Sequence, residues 1–488
     1  MLHFFKLRAR LRPGLQPVCL TLILVLLNPL LPAQAALSTA NLRQSLQQPG
    51  LSLPHTGAHI VSARSGETVL SLNSGTALMP ASNMKVITSA AALSLLKPEF
   101  RFKTHLLSDG RLQGDTLQGN LYLKGYGDPV LSDERLQQLV QELRFLGIGK
   151  INGQLIADDS YFDQQRIGRG WKNTYGAAAY SAQISALSLN LNTVEVRVRP
   201  TQVGQPAAIS LKPESSFFAL VNKTSTSGGR TRLHISRQLV NGKNQIIVSG
   251  NLYVRGRTEI ETINLDNPTL YTGYVAANLL RKEGIQLQGQ IRQGTTPAGA
   301  NLLATTESPP LREVVSELNK NSINLIAENL LKFMGANFSG APGSSEKGAK
   351  VITDRFLTRM VGLPHNPSLV IADGSGLSPL NRLSAETLTR VLQHMLQQYD
   401  VSVDFVASLA ISGVDGTLKK RMNTPELKRR VRAKTGFING ASALSGYVYA
   451  KNNEILIFSY LMNHYRTFHA ATSTQDLLCK QLLAWETR

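Results

Sequence analysis

The sequence predicts an α/β protein, one helix-and-sheet domain split by a long β-rich insertion, and three observations predict it. Strand-like hairpins and apolar helices occur towards both ends of the chain, the middle turns to short alternating segments broken by Gly, Asn and Pro, and helical texture returns after Pro309-Pro310. At 488 residues the chain is long enough for two or three domains of ordinary size.

The first element is an address rather than part of the fold. Lys6, Arg8, Arg10 and Arg12 precede an apolar run over 18–31 and the small-residue site Ala33-Gln34-Ala35, which is the order of a secretory signal cleaved near Ala35. Asn28 and Pro29 interrupt the run, which falls short of the roughly 20 apolar residues of a membrane span. An exported, soluble, periplasmic or otherwise extracytoplasmic protein is therefore expected. Cys19 lies inside the signal and leaves Cys479 alone, so no intramolecular disulfide is available and stability must come from a buried core. The net charge of +20, or +16 without the four signal cations, predicts an anionic partner: acidic wall polymer, lipid headgroups, or peptides carrying carboxylates. The cations are scattered and not interleaved with aromatics, which argues against nucleic acid.

The remaining elements follow in chain order. Segments 59–63 and 68–72 flank Ser65-Gly66 as a hairpin. Over 82–96 small and apolar residues recur so densely that the helix should be buried on most sides and sit at a domain centre. Between about 100 and 304 strand-like pieces dominate, for example 116–123 and 245–254. One long helix is expected over 311–334 and another, capped by Ser384, over 385–399. A second hairpin, 442–451 with 454–462 around Asn452-Asn453, and a helix over 472–485 close the chain.

Three short motifs carry the chemistry. In Ser82-Asn83-Met84-Lys85 the helical spacing sets an amine beside a hydroxyl. A serine needs a base within reach to become a good nucleophile, and a lysine serves only when neutral, a state that burial favours. Ser344-Ser345-Glu346-Lys347 has the same spacing but is expected in a Gly-rich loop where nothing fixes its geometry. Ser322-Ile323-Asn324 belongs to a polar cluster interrupting an apolar face, although Ser71-Leu72-Asn73 and Ser188-Leu189-Asn190 share its pattern by chance. Lys434-Thr435-Gly436 offers a cation and a hydroxyl for a carboxylate, and a glycine that lets a strand edge approach an extended substrate. The nine histidines show no HExxH spacing, and no metal or cofactor is called for.

Taken in order, the three motifs form the signature set of penicillin-binding proteins and serine β-lactamases. Together with LKGYGDPVLS, IADDSYFD, YSAQISALSLN, ADGSGLS and SGVDGTLKKRM, they resemble the D-alanyl-D-alanine carboxypeptidase/endopeptidase family, the class C low-molecular-mass penicillin-binding proteins. The resemblance implies a penicillin-recognising, serine transpeptidase/β-lactamase-like domain, an antiparallel sheet with helices on both sides, in two halves at 36–100 and 305–488. The 240 positions from Ser82 to Ser322 hold the family's large insertion, expected as a second domain over 101–195 and 260–304 with a third nested at 196–259.

By the same resemblance, Ser82 attacks the penultimate D-alanine of a peptidoglycan stem peptide, Lys85 takes its proton, and Ser322 relays a proton to the leaving amine. Asn324 holds the substrate amide, Lys434 and Thr435 the terminal carboxylate, Gly436 keeps the strand edge open, and the backbone of Phe437 completes an oxyanion hole with Ser82. Asp163 matches an acidic position that receives the free amine of the stem. β-Lactams are the expected covalent inhibitors. Phe437 stands where threonine is common, and Pro379 where an arginine often holds substrate, with Arg382 its candidate replacement. The competing readings are an exported β-lactamase or esterase on the same scaffold and a non-catalytic wall-binding protein.

Overall fold

The computed structural model describes residues 39–485. The signal at 1–35, with Cys19, lies outside the described residues. A six-stranded sheet organises the rest. Its order is Ala410–Ile411, Val431–Ile438, Ala441–Tyr449, Ile455–Asn463, Thr56–Ser62 and Thr68–Leu72, antiparallel throughout, so the first hairpin docks on the last strands. Both expected hairpins are present. The strands alternate between two cores, as period-2 geometry requires. Ala443, Tyr447, Ile457 and Leu461 face the inner helices, while Leu444, Val448, Leu456 and Phe458 meet Leu42 and Leu46 of Thr39–Leu46 and Leu478 and Leu482 of Phe468–Leu482.

The inner core is built around Met84–Leu96, in which every residue from Met84 to Ser94 is buried. A positive φ at Lys97, followed by Pro98, stops this helix. Leu311–Asn321, Asn324–Ser339 and Ala385–Gln397 pack around it, the last capped by Ser384, whose Oγ accepts from Thr387 N. Two expectations change here. The single helix over 311–334 is two, broken at Ser322, which takes a left-handed conformation (φ +58°) that local propensity does not announce. Ser344-Ser345-Glu346-Lys347 is not a loop but opens the helix Ser345–Val351, with Ser344 as its cap.

The insertion carries a five-stranded and a four-stranded sheet, and the nested segment carries two three-stranded ones. It is β-rich but not all β, since the helices Asp133–Phe145 and Pro268–Lys282 pack on its sheets. Thr193–Arg199 pairs with Glu259–Asn264, and Asn301–Glu307 pairs with Lys103–Ser108.

The segment 161–192 stitches insertion to sheet domain. Lys332 Nζ pairs with the Asp163 carboxylate and donates to Gln165 O (2.6 Å), Asn329 Nδ2 donates to Ser185 O (3.1 Å), and Trp171 Nε1 donates to Asp373 Oδ2 (2.8 Å).

Candidate active site

The three motifs, hundreds of positions apart, meet in one cleft of about 490 Å³, lined among others by Ser82, Ser322, Asn324 and Phe437. Ser82 enters from a tight 3-10 turn, Ala81–Asn83, that leads into the buried helix. Ala81 has a left-handed backbone (φ +48°), a conformation costly for alanine and typical of strain held at functional sites. Gly376 presses on this turn so closely that a Cβ there would stand 1.8 Å from Ala81 O, and Gly436 would bring one within 2.9 Å of Pro80 O. Only glycine lets the loop and the strand close on the serine from both sides.

Lys85 Nζ lies 3.1 Å from Ser82 Oγ, 2.6 Å from Asn324 Oδ1 and 2.7 Å from Ser375 O. All three partners are neutral oxygens, and the side chain is buried. Burial disfavours the cation and draws the amine down to about 7, against the raising influence of the Asp373 and Glu328 charges. A large fraction of this lysine is neutral at neutral pH, which is what a proton acceptor requires.

The Ser322 break serves the same cleft. Lys434 Nζ donates to Ser322 Oγ (2.9 Å) and to Thr435 O (2.9 Å), and Thr435 Oγ1 to Thr417 Oγ1 (2.8 Å). Burial, with the neighbouring Lys85 cation second, holds the Lys434 amine well below its usual value. Thr435 and Gly436 lie on the strand Val431–Ile438 that flanks the serine turn. Phe437 is largely exposed, and its ring meets Phe468 edge-on at 4.6 Å.

Three of the residues singled out from sequence lie apart from this cluster. Asp163 does not line the cleft, since its carboxylate is taken by the buried Lys332 amine. Arg382 Nη1 donates to Pro379 O (2.7 Å) and Asn381 O (2.8 Å), while Pro379 itself lines the cleft. In the second Ser-x-x-Lys copy, Lys347 Nζ bonds Gly340 O and Pro342 O rather than a serine hydroxyl.

Four residues that sequence reasoning gave no role complete the floor. Asp373 is buried and accepts from Trp171, from Gly376 N (2.7 Å) and Ser378 N (2.6 Å), and from Asn381 Nδ2 (2.7 Å), winding ADGSGLS into the loop that presents Ser375 O to Lys85. Glu328 accepts from Ser375 N (2.8 Å) and Gly374 N (3.1 Å), its carboxyl pushed up by burial and by Asp373. The Asn83 amide spans Ser445 Oγ (2.6 Å) and Lys434 O (2.8 Å), tying the serine turn to the Lys434 strand. The only sequence signal for Glu328 and Asn83 was polarity inside apolar helices, and for Asp373 and Trp171 their place in Gly-rich stretches.

A model of the D-Ala-D-Ala carboxypeptidase 3 (S13) family matches residues 38–484. The D-alanyl-D-alanine carboxypeptidase of Actinomadura sp. (strain R39) is 33% identical over 453 residues, covering 90% of this chain and 82% of that protein. The crystal structure of penicillin binding protein 4 (dacB) from Haemophilus influenzae superposes with a TM-score of 0.78 at 26% identity, covering 91% of this chain and 97% of that one. The same Haemophilus protein complexed with a novel beta-lactam gives a TM-score of 0.71 at 25% identity, with equal coverage. The fold is thus the penicillin-recognising one that the motifs implied. The chain belongs to the D-Ala-D-Ala carboxypeptidase 3 (S13) family.

Proposed function

We propose that this protein is a serine-type D-Ala-D-Ala carboxypeptidase of peptidoglycan stem peptides, with endopeptidase action on D-alanyl crosslinks and inhibition by penicillin through acylation of Ser82. The observation that carries the reading is a buried amine 3.1 Å from Ser82 Oγ, held only by neutral oxygens and drawn to about 7. Neutral Lys85 takes the Ser82 proton as Oγ attacks the carbonyl of the penultimate D-alanine. The developing oxyanion lies against the backbone N–H groups of Ser82 and Phe437. Ser322, bonded to Lys434, passes a proton to the departing D-alanine amine, and Asn324 orients the amide on the acyl side. Lys434 and Thr435 hold the terminal carboxylate, whose charge favours the cationic form of Lys434 when substrate binds. Water then hydrolyses the acyl-enzyme, with Lys85 as its base. The scheme calls for no metal or cofactor.

The signal at 1–35 directs the chain to the wall compartment, and the basic excess favours residence against anionic wall or membrane surface. Among the described residues no helix is long and apolar enough to cross a membrane.

The test is intact-mass measurement after benzylpenicillin, with peptide mapping, beside D-alanine release from a D-Ala-D-Ala peptide. An adduct on Ser82, D-alanine release, and loss of both in Ser82→Ala are expected. Rapid nitrocefin turnover without D-alanine release would instead mark a β-lactamase.

A further inference from the structure

The wall that the insertion contributes to the cleft has a charge pattern opposite to the one expected. Asp163, the acid matched to a free stem amine, is occupied by Lys332 and lines no part of the cleft. Lys172, Tyr175 and Tyr180 stand there instead, and among the described lining residues there is no carboxylate. The two tyrosine rings meet edge to face at 5.5 Å. Tyr180 O accepts from Asn324 Nδ2 (2.8 Å), so this wall is fastened to the amide whose oxygen faces Lys85. Lys172 is exposed, and its amine has no hydrogen-bond or ion-pair partner among the described residues.

The acids nearby are spoken for. Asp373 is buried and takes donors from Trp171, Gly376, Ser378 and Asn381, and Asp266, in the neighbouring hollow, pairs with Arg237. That hollow, about 480 Å³, shares Lys172 and Tyr175 with the cleft and continues to His234 and Arg237 of the nested unit. Lys172 therefore stands at the junction through which the chain on the acyl side of the scissile bond, leaving Asn324, would run.

We propose that Lys172, flanked by Tyr175 and Tyr180, is a specificity-determining subsite for a carboxylate on the acyl side of the D-alanyl bond, and that it disfavours a free ammonium there. This deepens the DD-peptidase reading and rests on it. An exposed ion pair changes affinity by about two- to five-fold, and exchanging attraction for repulsion compounds the factor to roughly five- to twenty-fold.

Three N-acetylated peptides ending in D-Ala-D-Ala, preceded by glutamyl, Nε-acetyl-lysyl or lysyl, test it through kcat/KM. The expected order is glutamyl, acetyl-lysyl, lysyl, spanning about ten-fold at low ionic strength and narrowing with salt. In Lys172→Ala the span collapses to about two-fold or less, and in Lys172→Glu the order reverses. The readout is a ratio among substrates within each variant, so a smaller folded fraction does not move it. A lysyl peptide cleaved fastest by the native protein, or an order unchanged in Lys172→Glu, overturns the subsite. Failure to release D-alanine from any of the three, with Ser82 still acylated by benzylpenicillin, overturns the DD-peptidase reading and the subsite with it.

Discussion

The floor of the cleft and the seam between the insertion and the sheet domain both bury lysines, yet they compensate the burial in opposite ways. At the seam, the Lys332 side chain is 1% exposed and its amine meets the Asp163 carboxylate. In the cleft, Lys85 and Lys434 are equally buried, but their amines touch only neutral oxygens. Glu328 and Asp373 influence Lys85 through charge without contact, and burial outweighs them, so its amine falls to about 7. A carboxylate in contact makes a buried lysine a tie; neutral oxygens make it a base. The two settings sit on one continuous structure, since Asn324–Ser339 carries Asn324 in the cleft and Lys332 in the seam.

Exchanging the amines breaks this comparison most severely on the cleft side. Lys85→Met should lower the second-order rate of benzylpenicillin acylation of Ser82 by ~10³-fold, because among the described residues the Lys85 amine is the basic group hydrogen-bonded to the hydroxyl. Retention of more than a tenth of the rate would mean another group takes the proton. On the seam side, Lys332→Met should leave the acylation rate of the folded protein nearly intact while costing about 2 kcal/mol of stability, read as a lower thermal midpoint. The cost stays modest because Asp163 is 25% exposed and water can solvate it once unpaired. A Lys332→Met protein with native stability but impaired acylation would make the seam part of the chemistry.

The pH profile sharpens the contrast. Lys85 accepts a proton only when neutral, and its neutral form grows as pH rises through about 7. The acylation rate should therefore climb to a plateau above that pH and fall about ten-fold per unit below it. The same depressed amine binds fewer protons folded than unfolded between about 7 and 10.5, so its contribution to stability grows with pH across that window. A flat rate profile from pH 5 to 8 would remove Lys85 from the role. The smallest effect is expected at Phe437, whose side chain is exposed and packs on Phe468 while its backbone carries the proposed role. Phe437→Thr should change D-alanine release by about three-fold or less, since the backbone donor survives. A hundred-fold loss would show that the ring itself holds substrate.

Much of the fold was legible because its signals are local. The hairpin about Ser65-Gly66, the closing hairpin, the buried helix after Ser82 and the Ser384 cap follow from periodicities of two and 3.6 and from turn and cap chemistry. The helix Asp133–Phe145 had the same kind of signal, with Ser132 as cap and Leu136, Leu139, Val140 and Leu143 on one face, but it was hidden by the strand-like texture around it. The break at Ser322 had no comparable signal, because a left-handed serine is stabilised by what surrounds it.

By itself the sequence determined the family, the three motifs, and the spacing that allows Ser82 and Lys85 to pair; the same spacing at Ser344 and Lys347 yields no such pair. Only the tertiary structure decided that Ser322 and Asn324 face Lys434 and Lys85, that Asp163 is drawn away by Lys332, and that Lys172 stands in the cleft wall instead. The physical reason is that a side chain's charge state and its partners depend on desolvation and on groups supplied from far along the chain. Those are set by packing, which no local spacing encodes.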